Sequence, residues 1–340
     1  MIEILAATEL VTIQDTGRFG LRRFGIGSAG ALDNLALKVA NTLVGNDVDA
    51  AAIELLASPL RLRFTAETVF ALAGADAEAR LDGHPVPPWW TMTAPAGAEL
   101  VMRPSRRGLS SYIALSGGIA VPLVLGSRST EVKSGFGGLS GRALAAGDRL
   151  ALGNPTMAPP VSPEAGFGVK PPEMALAPVV PVVPGIEDAI VVRALPAAQH
   201  GIFTEAARDA FWNGGWRVRP DSNRIGFRLV GAELVPQQRQ ELLSHGILPG
   251  VVQVPPSGQP IIQMSDANTC GGYPKIAVVI GADLWRLGQV RPGGALRFVP
   301  IDAQAAVAAL GEQRAYLTRV ARAVALVRKL APNVVERADA

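Results

Sequence analysis

Arg18-Phe19-Gly20-Leu21-Arg22-Arg23-Phe24-Gly25 and Arg224-Ile225-Gly226-Phe227-Arg228-Leu229-Val230-Gly231 share one pattern: Arg, apolar, Gly, apolar, Arg, two spacers, Gly. Two weaker echoes follow in the same order. Ser127-Arg128-Ser129-Thr130 leads to Gly137-Gly138, as Ser265-Asp266 leads through Thr269 to Gly271-Gly272-Tyr273. Ala146-Gly147-Asp148-Arg149-Leu150 is matched by Pro292-Gly293-Gly294-Ala295-Leu296. The shared order predicts two related domains in one chain, with a functional surface where the two copies face each other.

Length agrees, since 340 residues suit two domains that each bury a core. Hydrophobic residues make up 49% and charged residues 18%, a globular and not a disordered balance. The net charge of +3 is a mild excess, and no basic run or basic-aromatic stripe points to nucleic acid. Five lysines leave arginine, with its planar fork for carboxylates and phosphates, as the main cation. The single cysteine, Cys270, excludes an intrachain disulfide. The N-terminal stretch has no basic n-region and no apolar run is long enough to span a membrane, so a cytoplasmic protein is expected.

The first domain is expected over residues 1–153 and a connector over 154–185, whose nine prolines argue against a regular helix or central strand. A second domain is expected over 186–300 and an amphipathic helix with a tail over 301–340. Alternation at Leu60, Leu62 and Phe64 and the run Val69 to Ala73 predict strands, and Asp82-Gly83 predicts a hairpin. Asp33, the face Leu35, Val39, Ala40 and Leu43, and Gly45 predict one helix. In the second half, strands are predicted at Ile190 to Arg193, Val251 to Val254, Ile261 to Met264, Ile276 to Ile280 and Leu296 to Val299, and a helix at Phe203 to Trp212. Many short strands with few helices predict a mainly β protein with some α, a closed or half-closed barrel in each half. Near the C-terminus, Leu310, Leu317, Val320, Val324 and Val327 share a helical face, to dock on the body or on a partner.

No P-loop and no nucleophile elbow is present, and His84, His200 and His245 lack ligand-like spacing, so no metal site is expected. Cys270 has no evident base and reads as inert. The remaining signal is three glycine-rich segments with cations: Gln14 to Arg18, Gly126 to Arg142, and Asp266 to Lys275. Glycines let backbone N–H groups approach an anion, which suits a carboxylate or phosphate. The competing reading is tight barrel turns, with the arginines paired to Asp15, Asp33 or Glu54.

Gln14-Asp15-Thr16-Gly17-Arg18, Gly30-Ala31-Leu32-Asp33, Ala40-Asn41-x-Leu43-Val44-Gly45-Asn46 and Glu54 resemble the allophanate hydrolase subunit 2 family, also called the KipA-like or biotin-dependent carboxyltransferase domain family. Gly126-Ser127-Arg128-Ser129-Thr130, Ser222 to Arg228, Gln253-Val254-Pro255-Pro256 and Gly271-Gly272-Tyr273-Pro274-Lys275 continue the resemblance in order, over roughly residues 1 to 300. Ile225, Phe227 and Cys270 depart from the family pattern of Met, Tyr and Thr, so no hydroxyl role carries over to 227 or 270.

The resemblance implies two tandem cyclophilin-like β-barrels. It also implies the role of the family's bacterial 5-oxoprolinase C-type members, which open 5-oxoproline to glutamate with ATP in a complex. The expected partners are a KipI-like B-type protein and a LamB/YcsF-like A-type protein, with ATP held through the complex. The chain lacks an Ala-Met-Lys-Met sequence, so biotin is not attached to it. Two other roles within the resemblance are a carboxyltransferase component acting on a urea-like amide, and a KipA-like regulator that antagonises a KipI-like kinase inhibitor. The expected catalytic residues are Lys275, Asp266 and Arg128. Arg142, Thr130, Thr269, Tyr273, Gly271 and Gly272 are expected to hold substrate or phosphate.

Overall fold

The computed structural model describes residues 1–155, 166–176, 188–238 and 242–338. The chain divides into two compact units. The first holds Met1–Gly17, Asn34–Ala177 and Arg314–Ala340, and the second holds Arg18–Asp33 and Pro178–Gln313. These borders cut across the sequence-based domains, because residues 18–33 pack with the second half of the chain.

The first unit is two six-stranded sheets. One runs Arg149–Leu150, Ile2–Ala6, Leu60–Phe64, Glu99–Met102, Arg80–Leu81, His84–Pro85. The other runs Phe167–Gly168, Trp90–Ala94, Thr68–Gly74, Ser110–Leu115, Ala52–Leu56, Val11–Gln14. Ile4, Leu62 and Leu100 from one sheet and Ile13, Phe70 and Ile113 from the other form one buried core. The Thr68–Gly74 strand is buried at every position. Phe70 and Leu72 face that core, and the alternate residues Val69, Ala71 and Ala73 sit on the face where the Asn34–Val44 helix packs. The expected hairpin forms across Asp82 and Gly83, both with positive φ (47° and 83°), as the two central residues of a tight turn require.

The second unit closes into a barrel. Its order is Ile190–Pro196, Lys275–Val279, Val251–Gln253, Ile261–Gln263, Gly226–Val230, Trp216–Val218, Ala295–Pro300, and the last strand returns to the first in parallel. Val192, Trp216, Phe227, Val252, Ile262 and Phe298 are buried. The Glu205–Asn213 helix is capped by Thr204, whose hydroxyl accepts from Ala207 N–H at 3.2 Å. Phe211 of that helix stacks on Phe298 at 4.5 Å.

Two expectations need correction. The matching octapeptides are not matching structures. Both lie in the second unit, and Arg22–Phe24 is a single 3₁₀ turn whereas Gly226–Val230 is a barrel strand. The weaker echo does repeat a conformation: Gly147 (φ 90°) and Gly293 (φ 81°) each turn the chain into a strand. In the proline-rich connector, residues 156–165 and 177–187 lie outside the described residues. Its described part contains a sheet-edge strand, Phe167–Gly168, and a short helix, Pro172–Leu176. Proline at the first helical position loses no hydrogen bond, which reconciles that helix with its sequence.

The C-terminal helix spans Ala303–Ala338. Its buried stripe is Ala309, Tyr316, Val320 and Val324. Ala309 packs with Ile280 and Ala282 in the second unit. In the first unit the Tyr316 hydroxyl donates to Lys170 O at 2.8 Å, and an Arg328 terminal nitrogen donates to Leu43 O at 3.1 Å. The apolar face therefore docks on its own chain, and Arg328 leaves the wet face with its pKa lowered by burial.

The family-like motifs of the first unit also acquire structural duties. Asp15 Oδ1 accepts from the Ser127 and Ser129 hydroxyls at 2.6 and 2.5 Å and from Gly17 N–H at 2.8 Å, and Oδ2 accepts from Arg128 N–H at 2.5 Å. Buried Glu54 accepts from the Tyr112 hydroxyl at 2.6 Å. Asn46 bridges Leu115 O and Gly117 N–H at 2.8 Å each. Asp15→Ala would orphan several buried donors at once, so it should lower unfolding free energy by about 3 kcal/mol in urea titration. A loss under about 0.5 kcal/mol would mean that water replaces the carboxylate there.

Candidate functional site

Alternation places polar side chains on the outer face of the second barrel. In the Gly226–Val230 strand Phe227 and Leu229 are buried while Arg228 points away from the core. Gly226 pairs with Gln263, Arg228 with Ile261, and Ile261 with Gln253. These residues floor a cavity of about 260 Å³. The two-stranded sheet of His245–Gly246 with Cys270–Gly271 brings Cys270, Gly271, Gly272 and Tyr273 to its wall. Ile225 and Ile247 add apolar surface, and Asn223 and Asn268 add amides.

The floor is an amide relay. Gln263 Nε2–H donates to Gln253 Oε1 at 3.0 Å, and Gln253 Nε2–H donates to Tyr273 O at 3.3 Å. Gln253 and Gln263 are both buried. A Cβ at Gly271 would stand 2.9 Å from Gln253 Nε2, so glycine there leaves space for the relay.

Lys275 opens the strand paired with Gln253 and is buried. Its Nζ contacts His245 Nε2, and His245 Nδ1 lies 2.8 Å from Leu243 O. That pattern fixes one tautomer: Nδ1 carries the proton and donates to Leu243 O, and Nε2 accepts from the Lys275 ammonium. Neither residue is on the cavity wall.

Asp266 does not face Lys275. It takes a two-point ion pair from Arg224, Nε to Oδ2 at 2.9 Å and a terminal nitrogen to Oδ1 at 3.0 Å, with both side chains largely buried. The same Arg224 nitrogen reaches Gly30 O at 2.6 Å. Arg22 repeats this reach, donating to Ile247 O and Asn268 O at 2.6 and 2.8 Å. Thr269 lies beside the cavity and accepts Ile247 N–H on its carbonyl at 3.1 Å. Of the expected set, Gly271, Gly272 and Tyr273 therefore share the cavity.

The other three belong to the first unit. Thr130 is buried and donates its hydroxyl to Ile13 O at 2.9 Å. Arg142 spends its fork on Asp148 at 2.7 and 2.8 Å, which holds the Asp148 carboxyl below its usual range. Arg128 donates Nε to Val121 O at 2.9 Å. Its two terminal nitrogens donate no hydrogen bond to the described residues. In the sequence, Gln253 stands in a motif of the resemblance and His245 is weighed as a metal ligand, but neither is given a role in the site and Gln263 is passed over. A glutamine closing the apolar run Ile261-Ile262 was the available signal.

The second unit is thus a closed β-barrel with a small, amide-lined cavity on one outer face. The chain belongs to the family described as carboxyltransferase domain, subdomain A and B, whose model matches residues 24–300. It is 43% identical to the C subunit of 5-oxoprolinase from Escherichia coli strain K12, over 94% of this chain and 98% of that protein. It is 40% identical to the C subunit of 5-oxoprolinase from Haemophilus influenzae, over 95% of this chain and 99% of that one. The crystal structure of the K. lactis urea amidolyase superposes with a TM-score of 0.83 at 27% identity, over 94% of this chain and 20% of that protein.

Burial lowers the Lys275 pKa from its ordinary 10.5. Between the folded and unfolded values the unfolded chain binds the extra proton, so this residue's contribution to stability rises with pH up to 10.5. At lower pH the cost of the buried charge is fully present. Lys275→Met should flatten that alkaline rise relative to the parent in urea titrations from neutral pH to 10.5. Parallel curves would show that Lys275 is solvated like an exposed lysine.

Proposed function

We propose that this chain is the C-type component of a 5-oxoprolinase, opening 5-oxo-L-proline to L-glutamate with hydrolysis of ATP in a complex. The observation that carries this is the match to two relatives of that name along nearly their whole length. Relatives named as subunits imply partner subunits. A KipI-like B-type protein and a LamB/YcsF-like A-type protein are the proposed partners, with ATP bound through the assembly and no biotin on this chain. The urea amidolyase likeness supports a carboxyltransferase reading less strongly, at lower identity and over one-fifth of that enzyme.

A lactam carbonyl is a poor electrophile because the ring nitrogen donates into it. Transfer of the ATP γ-phosphoryl group to the carbonyl oxygen, releasing ADP, makes the ring carbon reactive. One water adds at that carbon, the ring nitrogen departs protonated, and a second water releases phosphate. Developing charge needs fixed donors, and the departing nitrogen needs a proton. Lys275 with His245 is the proposed proton-holding pair. Tyr273, Gly271 and Gly272 are proposed to line the substrate. The unspent fork of Arg128 remains the candidate for phosphate, whereas Asp266, Arg142 and Thr130 are committed to protein partners.

Reconstitution with the two partner proteins tests the proposal. Glutamate and ADP should form together only when this chain is present, and an equal rate without it would overturn the assignment. Lys275→Met should cut turnover by about a hundredfold, the scale of a lost acid–base group, with an unchanged far-UV spectrum. Full turnover in that variant would remove Lys275 from the chemistry.

A further inference from the structure

We infer that the cavity on the outer face of the second barrel binds a small lactam that carries a carboxylate, with Gln263 reading the amide and Arg228 the carboxylate. This deepens the 5-oxoprolinase reading and rests on it for the choice of probe.

Size sets the first limit. A volume of about 260 Å³ is many times the ~10–15 Å³ that one water needs on the same measure, which leaves room for a small solute. Chemistry sets the second. Gln263 gives one N–H to Gln253, and Gln253 is itself anchored to Tyr273 O, so the Gln263 carboxamide is held in one orientation. Its Oε1 and second N–H take no partner among the described residues. A ring amide is cis, presenting N–H and C=O on one edge, and it can close two hydrogen bonds with that carboxamide. An open-chain secondary amide is trans and offers one at a time.

Arg228 supplies the charge. Its backbone N–H is fixed by Ser222 Oγ at 3.1 Å, while its side chain is 54% exposed. Asp221 is 3.6 Å away, beyond a hydrogen bond, and is already taken by Arg219 at 2.9 Å. Arg228 thus keeps a loose ion pair with Asp221 through Nε, and its exposed terminal nitrogens can donate to a second carboxylate in the two-point geometry arginine favours. Ile225 and Ile261 offer apolar wall for ring methylenes. The two recognition elements lie on paired neighbouring strands, Arg228 opposite Ile261, two residues from Gln263.

Calorimetric titration of the full chain, alone and in the reconstituted complex, decides the matter with 5-oxoproline and 2-pyrrolidinone as probes. 5-Oxoproline should bind saturably and tighter than 2-pyrrolidinone. Arg228→Gln should weaken 5-oxoproline at least tenfold and leave 2-pyrrolidinone unchanged. Gln263→Met should weaken both at least tenfold, and Gln263→Glu serves if the first variant fails to fold. No saturable binding to chain or complex, or affinities indifferent to both positions, would overturn the site. Binding that obeys these rules in a complex that forms no glutamate would leave the site standing and remove the oxoprolinase role. Turnover with KM indifferent to both positions would do the reverse.

Discussion

The outer face of the second barrel depends on one buried ion pair, Arg224 with Asp266. Arg224 precedes the Gly226–Val230 strand, and Asp266 follows the Ile261–Gln263 strand that pairs with it. Backbone bonds extend that pairing, Met264 N–H to Ile225 O at 3.0 Å and Asp266 N–H to Arg224 O at 2.9 Å. The side-chain pair locks this extension and sets the direction in which residues 267–273 leave to wall the cavity. Removing one member strands a buried charge, which costs about 3–5 kcal/mol, far more than the pair itself contributes. The carboxylate is therefore engaged at both oxygens by Arg224, an arrangement that suits scaffolding.

The arm 18–33 exploits the same region. Arg22 caps two carbonyls there, Ser28 Oγ donates to Ser265 O at 3.3 Å, and Ser265 Oγ donates to Ala31 O at 3.3 Å. The arm also presses close: a Cβ on Gly288 would stand 2.5 Å from Leu32 O. Arg22 and Arg224 thus serve the same loop from different backbones. Arginine satisfies peptide carbonyls well because its fork spans two acceptors.

Local signals in the sequence are legible where local physics decides the outcome. Asp82-Gly83 makes its turn because those residues tolerate positive φ, and Leu60 to Phe64 alternates because one face of its sheet is buried. The barrel strands are legible for the same reason. The octapeptide misleads because a few matching letters constrain no long-range contact: Leu21 is half-buried and Arg23 exposed where their counterparts Phe227 and Leu229 are core. The arm's attachment to the second unit is set by contacts between residues far apart in sequence, such as Arg22 with Asn268, which no periodicity encodes. For the candidate site, glycines and Tyr273 announce themselves by composition. Gln263, and the place of Gln253 in the relay, do not, since a glutamine in a strand reads as a surface residue until its register and its neighbours bury it.

The composition of the cavity argues for what enters it. Its polar lining is mostly neutral amide, and Arg228 is the one cation among its lining residues. A nucleoside triphosphate carries several negative charges, for which the lining offers one arginine. A small monoanion asks for a single fork, which the half-exposed Arg228 can supply. Lys275 Nζ contacts His245 Nε2, and burial lowers the lysine pKa from its ordinary value. The fixed amides and the buried Lys275 lie on neighbouring strands, and the Gln253–Lys275 pairing in the ladder is what sets them side by side.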